Sequence, residues 1–207
     1  MGDTILIADD HPLFRQALAL AVSNVAPQAR VIEAGTLAAA AKAAAEADGL
    51  CLITLDLKMP GAIGYSGIAL LHAEKPDVPI LVVSSAEGAM VAEEARAFGA
   101  VGFLRKDADL LRIEDAIRDA LRGIDRPSAS TEPVDQVRRT VAGLTPTQLK
   151  VLLSVLEGKL NKQIAYDLGM SEATVKAHMT AIMRKLDVQN RTQAALVARS
   201  LGLDMAS

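Results

Sequence analysis

Five polar residues of this sequence end or follow apolar runs, and their types are those that phosphoryl chemistry requires. Asp9 and Asp10 follow one run, Asp56 follows another, Ser84 ends a third and Lys106 follows a fourth. Three clustered carboxylates repel one another unless a hard divalent cation such as Mg²⁺, which prefers oxygen ligands, neutralises them. One carboxylate could then attack phosphorus, while the cation and Lys106 neutralise the phosphoryl oxygens and Ser84 donates a hydrogen bond. Taken singly, each residue is better explained as a turn former, a helix cap or a solvated charge.

A second set of residues, nearer the C-terminus, is suited to contact with double-stranded DNA. A predicted helix capped by Ser171 has an apolar stripe on one side and a small, partly basic face on the other. On that face Lys176 could donate to guanine, and Ala177 and Thr180 could meet base edges or thymine methyl groups in a major groove. The remaining DNA-binding candidates are Arg184 on the same face, Thr174, and four residues expected to touch phosphates, Lys162, His178, Lys185 and Arg191. The alternative is a helical bundle with a solvated basic face.

The elements that must position the acidic residues are short apolar runs separated by helical patterns. Unbroken apolar runs are expected when a parallel sheet is covered on both faces, and five strand–helix units predict a doubly wound α/β domain. If the strand order is 2-1-3-4-5, the first and third strands are neighbours where the order reverses, and their carboxylates converge. The predicted strands are Thr4–Ala8, Arg30–Ala34, Leu50–Leu55, Ile80–Val83 and Gly102–Leu104. The predicted helices are Leu13–Val25, Thr36–Ala47, Gly67–Glu74, Ala89–Phe98 and Leu110–Arg122.

Four helices with clear start signals are predicted in the C-terminal part. Residues 145–148 (TPTQ) form a capping box with proline at the first helical position. Asn161, Ser171 and Asn190 are the predicted caps of the next three helices, and Asn190 again begins a capping-box pattern. Gly169 suits a turn that needs a positive φ. The second helix, this turn and the third helix make a helix-turn-helix pattern, so we expect a small all-α domain of four helices.

The composition divides the chain into two domains of opposite charge. We expect residues 1–123 to form the first domain, residues 124–143 a linker with a short helix near Val134–Val141, and residues 144–207 the second domain. Residues 138–207 contain ten Lys/Arg and five Asp/Glu, whereas the residues before them contain twelve and twenty. A basic half joined to an acidic half favours nucleic acid as the partner of the basic half.

Several features exclude other classes of protein. No apolar run reaches the length of about 18 residues that a membrane helix needs, and the run around Ile5–Ile7 is too short for a signal peptide. The single cysteine, Cys51, lies in an apolar run and is expected to be a buried core thiol in a reducing compartment. We therefore expect a soluble, cytoplasmic protein with no membrane partner.

Three segments of the first domain resemble the receiver domains of two-component response regulators, particularly those of the NarL/FixJ type. They are Ala8–Arg15 (ADDHPLFR), Leu55–Gly61 (LDLKMPG) and Gly99–Lys106 (GAVGFLRK), and the resemblance spans residues 3–122. One departure is the stretch after Pro60, where the family commonly has a short glycine-containing turn and this chain has a longer loop. Tyr65 in that loop is interpreted as a packing residue.

The resemblance implies roles for individual residues. Asp56 would accept a phosphoryl group from a sensor histidine kinase. Mg²⁺ would be the cofactor, bound directly by Asp10, Asp56 and the backbone carbonyl of Lys58, and through water by Asp9. The phosphoryl-binding and switch residues would be Ser84, Lys106 and Phe103. Such a protein would not be an enzyme beyond a slow loss of its own phosphoryl group.

The second domain resembles the LuxR-type DNA-binding domain over residues 144–203. The matching segments are 161–165 (NKQIA), 171–178 (SEATVKAH) and 185–192 (KLDVQNRT). The resemblance implies sequence-specific binding to an inverted-repeat operator by a homodimer that depends on phosphorylation. Members of the family usually dimerise through the last helix, whose small and apolar residues here could equally be intramolecular core. They are Ala194, Ala195, Val197, Ala198 and Leu201.

Three rival functions fit the sequence less well. A Mg²⁺-dependent aspartyl-phosphate phosphatase would place its nucleophile after the first strand, with a second Asp two residues later. A regulator that senses an acyl-homoserine lactone would have an aromatic-rich sensory half, and only 2% of this chain is aromatic. An atypical receiver that switches without phosphate would not need the complete acidic set.

Overall fold

Apolar runs of the N-terminal part form a parallel sheet of five strands in the order β2-β1-β3-β4-β5, as predicted. The strands are β1 (Thr4–Ala8), β2 (Arg30–Ala34), β3 (Leu50–Leu55), β4 (Ile80–Ser84) and β5 (Ala100–Arg105). Every residue of β1 and β4 is buried, as expected for strands covered on both faces. β4 and β5 are longer than predicted because their pairing begins at Ile80 and Ala100 and continues as far as Ser84 and Arg105.

The computed structural model describes residues 2–85, 89–123, 140–141 and 143–203. The chain divides into two compact units, residues 1–129 and residues 130–207. Most of the predicted linker 124–143, including nearly all of the helix predicted near Val134–Val141, lies outside the described residues. The domain limits at residues 123 and 144 therefore stay predictions.

Helices on both faces of the sheet bury the strands. α1 and α5 pack against each other and close a core with Ile5, Ile7 and Leu81 from the strands. Because strand side chains alternate between faces, Leu6 points the other way, toward the side where α2 contacts β1, β2 and α3. The helices begin and end within one residue of the predicted bounds. They are α1 (Pro12–Val25), α2 (Leu37–Glu46), α3 (Ser66–Glu74), α4 (Ala89–Ala97) and α5 (Leu110–Arg122).

The register of the strands brings the polar residues to one edge of the sheet. Ala8 pairs with Leu55 across β1 and β3, and the backbone N–H of Asp56 donates to the Ala8 carbonyl at 2.9 Å. Ser84 pairs with Arg105 across β4 and β5, and the N–H of Lys106 donates to the Ser84 carbonyl at 3.1 Å. The residues that follow these pairs must therefore lie at the same carboxyl edge.

Cys51 packs against the core, but the expectation that it is fully buried is wrong, since its side chain is only half-buried. The pairing of β1 with β3 shifts by one residue here, so that Cys51 is the extra residue of a β-bulge. Its thiol donates to the Thr4 carbonyl at 3.3 Å. Burial, together with the charge of Asp3, raises the pKa of the thiol above its ordinary value, so this cysteine should be a poor nucleophile at neutral pH.

The C-terminal unit contains four helices among its described residues. They are α6 (Pro146–Leu156), α7 (Asn161–Asp167), α8 (Glu172–Lys185) and α9 (Arg191–Ser200). The capping box of α6 is confirmed, with Thr145 and Gln148 bonded reciprocally. The turn before α8 has Gly169 at φ 63°, and Ser171 caps α8 by accepting from the Thr174 N–H.

Two of the predicted caps differ in the structure. Asn161 does not cap α7, because Leu160 occupies the cap position and the Gln163 side chain accepts from its N–H at 2.7 Å. Asn190 does cap α9, but the returning side chain of Gln193 accepts from the N–H of Gln189 rather than that of Asn190. In both places a glutamine reaches back to the chain just before the helix, and the pattern of residue types alone did not specify which N–H it would meet.

The core of the C-terminal unit uses the predicted apolar stripe of α8. Its members Val175, Met179, Ile182 and Leu186 are all buried. α8 packs against α6 and α7, and α9 packs against α6. Ala194, Ala198 and Leu201 are buried within the unit, so these three are intramolecular core, whereas Leu196 of α9 is 59% exposed.

Candidate functional site

The first candidate site is an acidic cluster at the carboxyl ends of β1 and β3. One ligand atom from each of Asp9, Asp10, His11 and Asp56 lies within 4.8 Å of the others. The side chains of Asp9 and Asp56 are each 1% exposed. Asp56 Oδ1 accepts from the Lys58 N–H at 3.0 Å, which leaves Oδ2 to face the cluster. The structure thus brings together the three carboxylates that the sequence predicted to converge.

Lys106 reaches this cluster from the end of β5. Its Nζ lies 2.7 Å from Asp9 Oδ2 and 2.7 Å from Asp56 Oδ2, and 4.9 Å from the centre of the Phe14 ring. Asp9 Oδ2 accepts no hydrogen bond of good geometry, so its contact with the ammonium group is mainly electrostatic. Burial alone would lower the pKa of Lys106, but the contacts with Asp56 and Asp9 and their negative charges raise it overall. Lys106 therefore stays charged at neutral pH.

The donor set of this cluster fits a hard divalent cation. Three ionised carboxylates and one ammonium group leave a formal charge of −2 in a mostly buried space. Asp10 Oδ1 is buried, and its nearest nitrogen among the described residues is His11 Nδ1 at 2.7 Å. Crowded carboxylates of this kind are costly to bury unless positive charge compensates them, and oxygen-rich sites of this charge suit Mg²⁺.

Two residues that the sequence reasoning missed support the turn that holds Asp9 and Asp10. His11 places its ring Nδ1 2.7 Å from Asp10 Oδ1, and its backbone N–H donates to Asp9 Oδ1 at 2.8 Å. Arg15 donates from Nη1 to the Asp9 carbonyl at 2.7 Å and from Nε to Glu33 at 2.9 Å. The spacing between His11 and Arg15 could have identified these residues from the sequence, because one turn of α1 places Arg15 beside the residues that precede the helix.

The remaining predicted receiver residues lie on or just after β3, β4 and β5, whose carboxyl ends border this cluster. Ser84 is fully buried at the end of β4. Phe103 is half-buried in β5, where it pairs with Val82. Lys58 is exposed, and its backbone N–H bonds to Asp56. The proposed roles of Ser84 and Phe103 in switching and of the Lys58 carbonyl in metal binding stay predictions.

The longer loop after Pro60 is anchored by Tyr65. This side chain is 2% exposed, its ring stacks on Phe98 with centroids 5.5 Å apart, and its hydroxyl donates to Glu94 Oε2 of α4 at 2.6 Å. The loop beside Asp56 is thereby tied to α4 as well as to the core. The interpretation of Tyr65 as a packing residue is confirmed, with a polar link in addition.

The second candidate site is the outer face of α8. Its candidate residues are exposed, except that His178 is half-buried. The exposed members are Thr174, Lys176, Ala177, Thr180 and Arg184. The Thr180 hydroxyl donates to the Lys176 carbonyl at 3.0 Å, and the Thr174 hydroxyl lies 2.8 Å from that of Ser171. Both hydroxyls are thus engaged locally, which leaves Lys176 and Arg184 as the polar groups best placed to reach outward.

Two of the predicted phosphate contacts are instead engaged within the unit. Lys185 Nζ donates to the Gly143 carbonyl at 2.9 Å and to Gln148 Oε1 at 3.0 Å, which ties the end of α8 to the start of α6. Arg191 donates to Asn161 Oδ1 at 2.8 Å and also to the Lys159 carbonyl. Lys162 is exposed on α7. The structure therefore favours Lys162 over Lys185 and Arg191 as a residue free to meet phosphate.

Models of two known families match the two units. Residues 5–118 match the response regulator receiver domain, and residues 142–198 match the bacterial regulatory proteins of the luxR family. The glycerol metabolism activator of Pseudomonas putida is 41% identical, and the match covers 94% of each chain. The nitrate/nitrite response regulator protein NarP of Escherichia coli is 31% identical over 93% of each chain.

The chain belongs to the NarL/FixJ family of two-component response regulators.

Solved structures agree with this membership at the level of the fold. The RcsB response regulator of Salmonella typhimurium is 22% identical, with a TM-score of 0.53 over 98% of this chain and 100% of that one. The receiver domain of NarL from Mycobacterium tuberculosis is 28% identical, with a TM-score of 0.50 over 58% of this chain and 97% of that one. No helix in the described part of the regulator is long and apolar enough to span a membrane.

Membership of this family makes the chain a transcription regulator with a receiver domain and a DNA-binding domain. A receiver domain implies a kinase as partner, and a LuxR-type domain implies DNA. The relatives named above are regulators rather than enzymes.

Proposed function

We propose that this regulator accepts a phosphoryl group on Asp56 from a sensor histidine kinase, and that the modification controls its binding to DNA. The observation that carries the proposal is the setting of Asp56. Its buried carboxylate directs Oδ2 at the Lys106 ammonium group 2.7 Å away, beside two further carboxylates. A lone structural aspartate would need neither the lysine nor the other acids.

The chain's own residues account for the transfer step. Asp56 Oδ2 forms a bond to phosphorus while the bond between phosphorus and the leaving group breaks. The leaving group is a histidine nitrogen of the kinase, or acetate when acetyl phosphate is the donor. Lys106 then pairs with a phosphoryl oxygen, and Ser84 donates a hydrogen bond to another. Asp10, Asp56 and the Lys58 carbonyl would hold Mg²⁺ directly, and Asp9 would hold it through water. When bound, Mg²⁺ supplies positive charge that compensates the phosphoryl oxygens.

Phosphorylation would change DNA binding through the switch residues Ser84 and Phe103 and through the exposed face of α8. Movement of Ser84 toward the phosphoryl group would let Phe103 turn inward and alter the surface of α4 and β5. The altered receivers would pair, so that two copies of α8 meet an inverted-repeat operator with half-sites about 10 base pairs apart. Dephosphorylation would be slow and unassisted, and the site of action would be the cytoplasm. The name of the P. putida relative supports activation rather than repression.

The test is phosphorylation by acetyl phosphate and Mg²⁺, followed by intact mass. The wild type should gain one phosphoryl group, the Asp56→Asn protein none, and the Asp10→Ala protein very little because it loses Mg²⁺. A Glu46→Gln protein is a matched control, since it also removes a carboxylate but one that is exposed at the end of α2 and lies outside the cluster. Undiminished labelling of Asp56→Asn would rule out the assignment.

A further inference from the structure

The segment through which the chain enters the C-terminal unit is anchored in the core of that unit. Val141 is fully buried and Leu144 is 2% exposed, and the Leu144 N–H donates to the Val141 carbonyl at 3.0 Å. Gly143, which lies between them, is exposed. The last residues of the predicted linker therefore belong to the folded unit, so a displacement of the chain before them acts directly on this segment.

The end of α8 is bonded to this segment through the side chain of Lys185. This residue lies in the last turn of α8, and its Nζ donates to the Gly143 carbonyl at 2.9 Å and to Gln148 Oε1 at 3.0 Å. Gln148 Oε1 also accepts from the Thr145 N–H at 3.1 Å. The ammonium group thus joins the end of α8 both to the segment before α6 and to the first turn of α6.

The bonds of Lys185 restrict position more than they add stability. The residue is exposed, so water competes for the ammonium group, and the bonds contribute less to the free energy of unfolding than buried ones would. Two acceptors on separate segments nevertheless limit where the end of α8 can lie relative to Gly143. The preceding residue, Arg184, lies on the face of α8 expected to meet DNA, so a shift of this turn would move that face.

We propose that Lys185 is a positioning residue that transmits movement of the linker to α8, rather than a residue that binds phosphate. The inference rests on the proposed function, because it assumes that phosphorylation of Asp56 controls binding to DNA. Phosphorylation would displace the chain before Gly143, and the Gly143 carbonyl would move with it. Lys185 would transfer this displacement to the last turn of α8, and a packed helix moves as one rigid element.

The experiment compares single variants of the full chain with and without beryllofluoride. The probe is a DNA duplex selected from a random pool by the wild-type chain in the presence of beryllofluoride. Beryllofluoride should raise the affinity of the wild type for this duplex, and Lys185→Met should reduce that gain about fivefold or more. Lys185→Arg keeps a long cationic donor and should retain most of the gain. Lys159→Met is the matched control, because it removes a lysine that pairs with Glu157 and Asp167 instead.

Two further measurements separate positioning from a direct phosphate contact. Loss of a phosphate contact would lower the slope of log affinity against log salt concentration by about one, whereas loss of a positioning residue should leave that slope nearly unchanged. In the absence of DNA, beryllofluoride should change the hydrogen-exchange protection of the last turn of α8 in the wild type but not in Lys185→Met. Urea denaturation shows whether each variant is folded, and Lys185→Gln replaces Lys185→Met if the latter is not.

The outcomes distinguish this inference from the proposed function. If the wild type neither gains a phosphoryl group on Asp56 nor responds to beryllofluoride, the proposed function fails and the inference fails with it. If the wild type responds and Lys185→Met responds equally, only the inference is wrong. An equal loss of response in Lys159→Met, or a salt slope lowered by about one in Lys185→Met, would also overturn it.

Discussion

At the scale of single residues, what distinguishes this regulator is which charged groups are already engaged. Lys106 contacts two carboxylates, Arg15 holds the carbonyl before Asp10, and Lys185 and Arg191 bond within the DNA-binding unit. Charged residues with such partners already stabilise the structure. Charged side chains without such a partner in the described structure, such as that of Lys176, are the better candidates for binding a ligand outside the chain.

Arg15 should set the affinity of the site for Mg²⁺. Arg15→Ala removes the donor to the Asp9 carbonyl, so the turn that presents Asp10 is less well held, and affinity should fall about tenfold or more. Calorimetric titration with MgCl₂ measures it. Glu33→Gln is the control, because it removes the partner of Nε while Nη1 can still bond to Asp9. An equal loss in both variants would mean that the ion pair, rather than the bond to Asp9, is what matters.

Lys176 should contact DNA, and Arg191 should act on stability instead. Lys176→Ala is expected to weaken specific binding by about 1–3 kcal/mol if the lysine contacts a base, or to flatten the salt dependence if it contacts phosphate. Arg191→Ala should chiefly lower the free energy of unfolding, because it frees Asn161 and the Lys159 carbonyl. Operator binding at several salt concentrations and urea denaturation distinguish the two. Full affinity with an unchanged salt slope in Lys176→Ala would show that this face does not contact DNA.

At the scale of elements, side chains from the loop after Pro60 contact side chains from helix α4 and the residue that follows it. Tyr65 supplies a ring and a hydroxyl, and α4 with the residue after it supplies Glu94 and Phe98. The loop borders the proposed phosphoacceptor, and α4 belongs to the surface expected to change on phosphorylation. A departure from the usual family loop thus creates a link between the two.

Tyr65→Phe should break that link while keeping the ring stack. Losing the hydrogen bond to Glu94 should cost about 1–3 kcal/mol of unfolding free energy. Glu94→Gln is the partner variant, and the double variant should cost less than the sum of the two, because both remove one interaction. Urea denaturation of the four proteins provides the cycle. Strict additivity would show that the bond contributes no coupling energy.

His72, at the C-terminal end of α3, should make stability depend on pH. Burial lowers the pKa of His72 below its ordinary value of 6.5, and the charge of Asp77 opposes that shift only in part. The unfolded chain then binds a proton more readily, so the His72 contribution is complete above about pH 6.5 and is lost as the pH falls through the folded pKa. Unfolding free energy should therefore fall more steeply from pH 7.5 to pH 5 in the wild type than in His72→Gln. Parallel curves would contradict this.

At the scale of the whole molecule, an acidic receiver and a basic DNA-binding domain share one chain. The halves carry net charges of opposite sign, and a polar, proline-containing linker is predicted between them. Charge attraction could then hold the unphosphorylated domains together and cover part of α8, and phosphorylation would release it. The family membership supports the two activities, whereas their coupling is a prediction.

Phosphorylation should accordingly raise operator affinity in the full chain but not in the separate DNA-binding domain. A 100-fold gain would need only about 2.7 kcal/mol of coupling, an ordinary size for allostery. The measurement is operator affinity with and without beryllofluoride, for the full chain, for Asp56→Asn and for residues 138–207. The fragment should bind without the mimic, and the full chain should need it. If the full chain binds equally in both states and as tightly as the fragment, inhibition by docking is wrong.

Local patterns in the sequence were enough for most of the secondary structure, and the matching motifs were enough for the family. Strand bounds such as Thr4–Ala8 and Leu50–Leu55 are confirmed because apolar runs and turn signals are properties of neighbouring residues. The convergence of Asp9, Asp10 and Asp56 also followed, since parallel strands present their carboxyl ends at one edge. The half-burial of Cys51 did not follow, because a bulge arises from the pairing of two strands distant in the chain.

Only the tertiary structure decided which side chains meet across the fold. The partners of Arg191 and Lys185 lie 30 and 42 residues away in the chain, and Tyr65 meets Glu94 across 29 residues. Sequence spacing specifies the face of a helix on which a residue lies, but not what packs against that face. For the same reason His11 looked like an ordinary residue at a helix start, until the strand register placed its nitrogen among three carboxylates.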